Sequence, residues 1–150
     1  MRAPLTTLLF AAWVASLATS CGLGRRQPIV DVTVRNSTTN KLGWAELVWG
    51  EGSLSIGVFL PGKGITYGDT GLPNSVKTNT ATIEFVNEDD PRVRVGSEDE
   101  RVAMRRQLIQ KVPVDVTPLR QLAPGHYQAT FNLLSLTNAV LAIRLREKRP

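Results

Sequence analysis

Ile29-Val30-Asp31-Val32-Thr33-Val34-Arg35 decides the reading of this chain. Val30, Val32 and Val34 fall on one side of an extended backbone and Asp31, Thr33 and Arg35 on the other, the period of two expected of a strand with one face in a core. Asn36-Ser37-Thr38-Thr39-Asn40 ends the run, because short polar side chains that bond their own backbone favour turns. Asn36-Ser37-Thr38 also has the form of a glycosylation sequon and is read here as loop chemistry only. Gly43 to Trp49 repeats the strand pattern, with Ala45, Leu47 and Trp49 against Trp44, Glu46 and Val48. After Gly50-Glu51-Gly52 comes a third strand, with Leu54, Ile56, Val58 and Leu60 expected on one face and Ser53, Ser55 and Gly57 on the other. These two runs predict a hairpin. Pro61-Gly62-Lys63-Gly64 predicts a type II turn, since proline presets one dihedral and glycine accepts the positive φ that follows.

Further along, Ile65–Gly68 reads as a short strand, 69–77 as a surface loop, and Ala81, Ile83 and Phe85 as the inward side of another strand. Asn87-Glu88-Asp89-Asp90-Pro91 breaks that strand, and Val93 and Val95 are expected to resume it as a companion. Ser97 with Glu100 has the spacing of a capping box and predicts a helix start. Two continuations are open: one helix with Val102, Leu108, Ile109 and Val112 on a shared face, or a helical turn at 102–104 with a strand starting near Leu108. Pro113 and Pro118 bracket an extended segment of edge type. Strands are expected again at 127–133 and 139–146. Many short strands at regular spacing, with at most one short helix near 97–110, predict a mainly all-β chain. The expected architecture is an antiparallel two-sheet β-sandwich of immunoglobulin-like or transthyretin-like type.

The N-terminus has a different grammar. One positive charge at Arg2 precedes an apolar run from Leu5 to Leu17, shorter than the ~20 residues of a membrane-crossing helix, and the run closes on Ala18-Thr19-Ser20-Cys21. This stretch resembles the signal peptide and lipobox of bacterial lipoproteins, with Ala18 where leucine is commonest in that family. The resemblance implies removal of 1–20 and acylation of Cys21, so that acyl chains hold the protein to a membrane. It further implies a place in the bacterial cell envelope. Gly22, where aspartate would signal inner-membrane retention, points to the outer membrane facing the periplasm. Residues 21–28 then form a lipidated linker and 29–150 a single sandwich domain. The absence of a second cysteine fits a lipidated thiol better than a disulfide framework.

With 18 basic and 13 acidic residues the chain carries a formal charge of +5, and Arg2 would leave with the signal. Basic residues are not interleaved with aromatics, so nucleic acid is not an expected partner. His126 is the sole histidine, with no Gly-x-Ser-x-Gly elbow and no partner nominated by sequence order, so no catalytic residue is assigned. The acidic run at 88–90 lacks alternating calcium ligands, and a single nitrogen donor does not make a zinc site; no metal and no cofactor is expected. Contact candidates remain: Trp44 and Trp49, which lie on opposite faces of one strand so that one is expected in the core and the other exposed to a sugar or partner, and the rigid turn of Pro61, Gly62, Lys63 and Gly64. The expectation is a non-catalytic binding or structural module that meets another envelope protein. The alternative is a cell-wall-directed enzyme or an enzyme inhibitor.

Overall fold

The computed structural model describes residues 27–72 and 77–146. Eight strands form two four-stranded sheets. In chain order they are β1 (Ile29–Asn36), β2 (Leu42–Trp49), β3 (Gly52–Phe59), β4 (Gly64–Tyr67), β5 (Thr80–Asn87), β6 (Gln110–Asp115), β7 (His126–Ser135) and β8 (Asn138–Leu145). One sheet has the order β4-β1-β7-β8 and the other β3-β2-β5-β6, a mainly antiparallel β-sandwich. Alternation on each strand supplies the inner faces. Val30, Val32 and Val34 are fully buried beside Ala129, Phe131 and Leu133 of β7, and they face Leu47, Ile83 and Phe85 in a single core. Such burial is the main favourable term in folding.

The pairing of β1 with β7 is parallel, from Ile29 opposite His126 to Asn36 opposite Leu133. Parallel neighbours need a long crossover, and here everything from β2 to β6 intervenes. The first strand and the penultimate one therefore lie side by side in the middle of one sheet, with β1 flanked by β4 and β7 and the last strand, β8, at the edge.

Three expectations are corrected. Val93 and Val95 do not form a strand: Pro91–Arg94 is a 3-10 turn, because the Asp90 side chain accepts from the Arg92 amide and Pro91 occupies the first turn. The helix α1 (Glu98–Gln107) is shorter than the first continuation and longer than the helical turn of the second, whose strand does follow it, from Gln110. Its reciprocal Ser97–Glu100 capping box is present, it ends at Gln107, and Val112 and Val114 belong to β6 in the core. Pro113 is tolerated there because β6 is a sheet edge. The third correction concerns β3. Leu54 and Ile56 face inward, but Gly57 has φ 76 and the register between β2 and β3 shifts there, so Phe59 turns in while Val58 and Leu60 turn out. A bulge of this kind reverses every side chain beyond it.

Candidate partner-binding surface

The bulge builds the most distinctive surface of the molecule. On β2 it sits at Gly43-Trp44, between Leu42 opposite Phe59 and Ala45 opposite Gly57. Trp44 has φ 50, a left-handed conformation that is rare for a bulky residue. Two features hold it. A Cβ on Gly43 would collide with the Glu88 carboxylate, so the glycine allows β2 to pass beneath that side chain. Glu88 is itself fixed by Arg105 of α1 through two parallel bonds of 3.1 and 3.0 Å. The same contact holds the Arg105 guanidinium above its ordinary pKa. Val86 of β5 and Val93 of the 3-10 turn are fully buried but lie outside the main core cluster.

The result is an outward group of Trp44 (43% exposed), Val58 (61%) and Leu60 (47%). Extending the Leu42–Phe59 register by one step puts Lys41 beside Leu60. Leu60 runs directly into the expected type II turn: the Lys63 amide donates to the Leu60 carbonyl at 3.2 Å, and Gly62 has φ 70.

That turn is pinned from below by Asn36, which is completely buried. The Asn36 side-chain amide donates to the carbonyls of Asn40 (2.9 Å) and Phe59 (3.0 Å). Its oxygen accepts from the amide and hydroxyl of Thr38, at 3.0 and 2.8 Å. Its backbone accepts from the Gly62 amide and donates to the Lys63 carbonyl. One side chain thus ties the end of β1, the following loop, the end of β3 and the β3–β4 turn, with every polar atom satisfied. The sequon reading as loop chemistry fits this geometry.

Of the contact candidates, Trp44 and Pro61, Gly62, Lys63 and Gly64 lie at one end of the sandwich. Trp49 does not join them. It is 5% exposed and belongs to the core, with its indole ring lying over Gly52, so it offers no surface to a partner. Cys21 lies outside the described residues.

A second cluster occupies the other end of β1. Asp31 accepts from His126 Nε2 (3.1 Å) and Arg146 Nη1 (2.5 Å) on one oxygen and from the Asp69 amide (3.1 Å) on the other. The Asp69 amide, then His126 and Arg146, lower the Asp31 pKa against the opposing effect of its burial. Sequence order did not reveal this partner of His126, because parallel pairing of β1 and β7 brings together residues from opposite ends of the chain. With Arg146, the pair clasps β1, β7 and the end of β8 together. A third feature is a groove of about 500 Å³ beside α1, lined by Val95, Gly96, Ala103, Met104 and Gln107. The two charged residues at its rim are already engaged, Arg92 with Asp90 and Glu100 with Ser97.

Fold and surface together define a β-sandwich with one apolar, turn-bearing end. No family model matches the chain, and no curated protein matches it. Among solved structures, a protein from Eubacterium rectale determined by NMR is similar over 81% of this chain and 93% of its own, with 8% sequence identity and a TM-score of 0.39.

Proposed function

We propose that this protein is a lipid-anchored module of the bacterial cell envelope, non-catalytic, that binds another envelope protein through the Trp44–Val58–Leu60 surface and the adjoining Pro61–Gly64 turn. The observation that carries the reading is the relation of the two ends of β1. Cys21 is joined to Ile29 through residues 22–28 alone, whereas the apolar surface lies beyond Asn36 at the opposite end of that strand. At about 3.3 Å per residue, β1 separates them by roughly 23 Å. An anchor at one end and an exposed aromatic at the other suit a tethered binder, because attachment to one membrane raises the effective concentration of its components.

Intact mass and membrane partitioning of the full chain expressed in bacteria, beside Cys21→Ser, test the anchor. A gain of diacylglyceryl mass and sedimentation with membranes, both abolished by the substitution, is the expected outcome. Identical soluble products from both forms would refute it. The alternative, an inhibitor or enzyme acting on cell wall, draws support from the rigidity that Asn36 gives the turn and from the Asp31–His126 pair. Hydrolysis of purified cell wall that is lost in His126→Gln would favour the enzyme.

A further inference from the structure

Resting on the proposed anchored-binder reading, we infer that the partner meets this surface with an acidic segment that carries apolar side chains, its carboxylates seated against Lys41 and Lys63 and its apolar residues against Trp44, Val58 and Leu60.

The argument is one of charge accounting. At this end of the sandwich most acidic groups are already committed; among the described residues Asp99 and, two positions along β2 from Trp44, Glu46 have no ion pair. Glu88 is held by Arg105, Asp90 by Arg92, Asp89 by Arg94 and the Lys41 amide, and Glu98 by Arg101. The side chains of Lys41 and Lys63 have no carboxylate partner among the described residues, whereas Arg105 is bonded to the Glu88 carboxylate that lies over Gly43. One step beyond the Leu42–Phe59 pair Lys41 stands beside Leu60, and Lys63 closes the turn that leaves Leu60, so both lysines border the apolar patch along the chain. A solvated lysine is ordinary by itself. Two unpaired lysines bordering a patch with an exposed tryptophan whose backbone is held in a costly conformation form a surface with both a sign and an anchor.

The same accounting decides among occupants. A second copy of this chain, docked by the same patch across a two-fold axis, would bring Lys41 and Lys63 against their own equivalents, a like-charge juxtaposition that opposes association. The proposed anchor joins the domain at Ile29, at the far end of β1 from the patch. An acidic, apolar protein segment satisfies the charge and the exposed area together.

The test uses the full chain in its bacterial host, with a photo-reactive amino acid at Val58 and, as control, at Glu51 in the hairpin tip at the opposite end of the sheet. The crosslinked peptide is sequenced by mass spectrometry. The expected result is one protein adduct from the Val58 probe and none from the Glu51 probe, with clustered Asp or Glu beside apolar residues in the attached peptide. Lys41→Glu with Lys63→Glu should lower adduct yield roughly tenfold through lost charge complementarity. Trp44→Asn, which suits the left-handed backbone, should lower it roughly 30-fold, as loss of an interface anchor does, and Trp44→Phe should restore part of it. All these side chains are on the surface, and unchanged thermal midpoints verify that each variant is folded. Adducts with another copy of this chain, with lipid or with a neutral or basic segment would overturn the inference, as would no adduct at all or a yield insensitive to the lysine reversals. Mass analysis of the same preparation separates the two readings: an acidic adduct on an unacylated chain would refute the anchor and leave the acidic partner standing.

Discussion

The two ends of β1 are held by different chemistry. At one end Asn36, a neutral amide with no exposure, organises the loop and the turn through four side-chain hydrogen bonds. At the other end Asp31, a carboxylate, gathers His126, Arg146 and the Asp69 amide. An amide that both donates and accepts can join several backbone segments without a counter-charge, and its strength does not depend on pH. A carboxylate accepts only, so its partners must be donors, and it must stay ionised to hold them. The neutral hub underlies the surface proposed to bind. The charged clasp closes the place where β1, β7 and the end of β8 converge.

The sharpest test of this contrast is Asn36→Ala. It leaves the Phe59 carbonyl and the Thr38 amide without their partner, while the Thr38 hydroxyl, as a donor, and the Asn40 carbonyl keep only their longer bond of 3.4 Å to each other. At about 1–3 kcal/mol for each buried polar group left unmade, partly relieved by water, the expected loss is about 3 kcal/mol in urea unfolding at any pH between 5 and 8. Asn36→Asp should cost at least as much, because it keeps the acceptor, removes both donors and buries a charge. A loss below that of Asp31→Asn would invert the comparison and make the charged end the structural one.

Asp31→Asn is expected to cost about 1.5–2 kcal/mol at pH 7, the low end of the range for hydrogen bonds to a charged group, because the amide keeps one acceptor oxygen. Its pH dependence distinguishes it. The folded pKa of Asp31 lies below the ordinary 3.8, so the unfolded chain binds the proton more readily. The stabilisation is therefore complete above that ordinary value and is lost as pH falls through the lower folded value. Urea titrations of the native chain and of Asp31→Asn should converge on acidification below pH 4, whereas the Asn36→Ala gap should persist. Parallel curves throughout would show that the clasp does not act through its charge.

Gly57→Ala probes the bulge without disturbing either hub. Nothing lies within 4 Å of the added Cβ, so the cost is conformational alone, about 1 kcal/mol for an alanine held at φ 76. A larger loss accompanied by a change in Trp44 fluorescence would mean that the bulge had slipped and rebuilt the binding end.

How much of this was legible in the sequence follows from whether a feature is local. Val30, Val32 and Val34 announced their strand because alternation is a property of neighbours, and Pro61-Gly62 announced its turn because the dihedrals belong to those residues. Ser97 and Glu100 fixed the helix start for the same reason. The register of β2 against β3 is not local: the alternation of Leu54, Ile56, Val58 and Leu60 is unbroken in sequence, and only the pairing reveals that Gly57 reverses it. Glycine in a strand is a signal for a bulge, and Gly57 was the one mark available. Asn36 was visible as a turn residue, but its reach to Phe59 depends on two sheets meeting. The Asp31–His126 pair depends on a parallel pairing between positions 95 residues apart. The candidate surface is half visible in the sequence, as Trp44 and the Pro61–Gly64 turn, while plain alternation puts Val58 and Leu60 on the face of Leu54 and Ile56.

Val58→Ser has the smallest expected effect and bears directly on that reversal. Were the alternation of β3 unbroken, Val58 would share the inner face of Ile56, and a hydroxyl there would cost several kcal/mol through lost packing and a buried polar group. In the observed register Val58 is 61% exposed, and substitutions at such positions stay within about 0.5 kcal/mol. Ile56→Ala, two residues away and 9% exposed, sets the scale, with an expected loss of about 2 kcal/mol or more. Equal losses at the two positions would place Val58 in the core and remove the apolar surface on which the binding proposal stands. A near-silent Val58→Ser beside a costly Ile56→Ala means that folding does not require the valine outside, and leaves recognition as the reason for an apolar residue there.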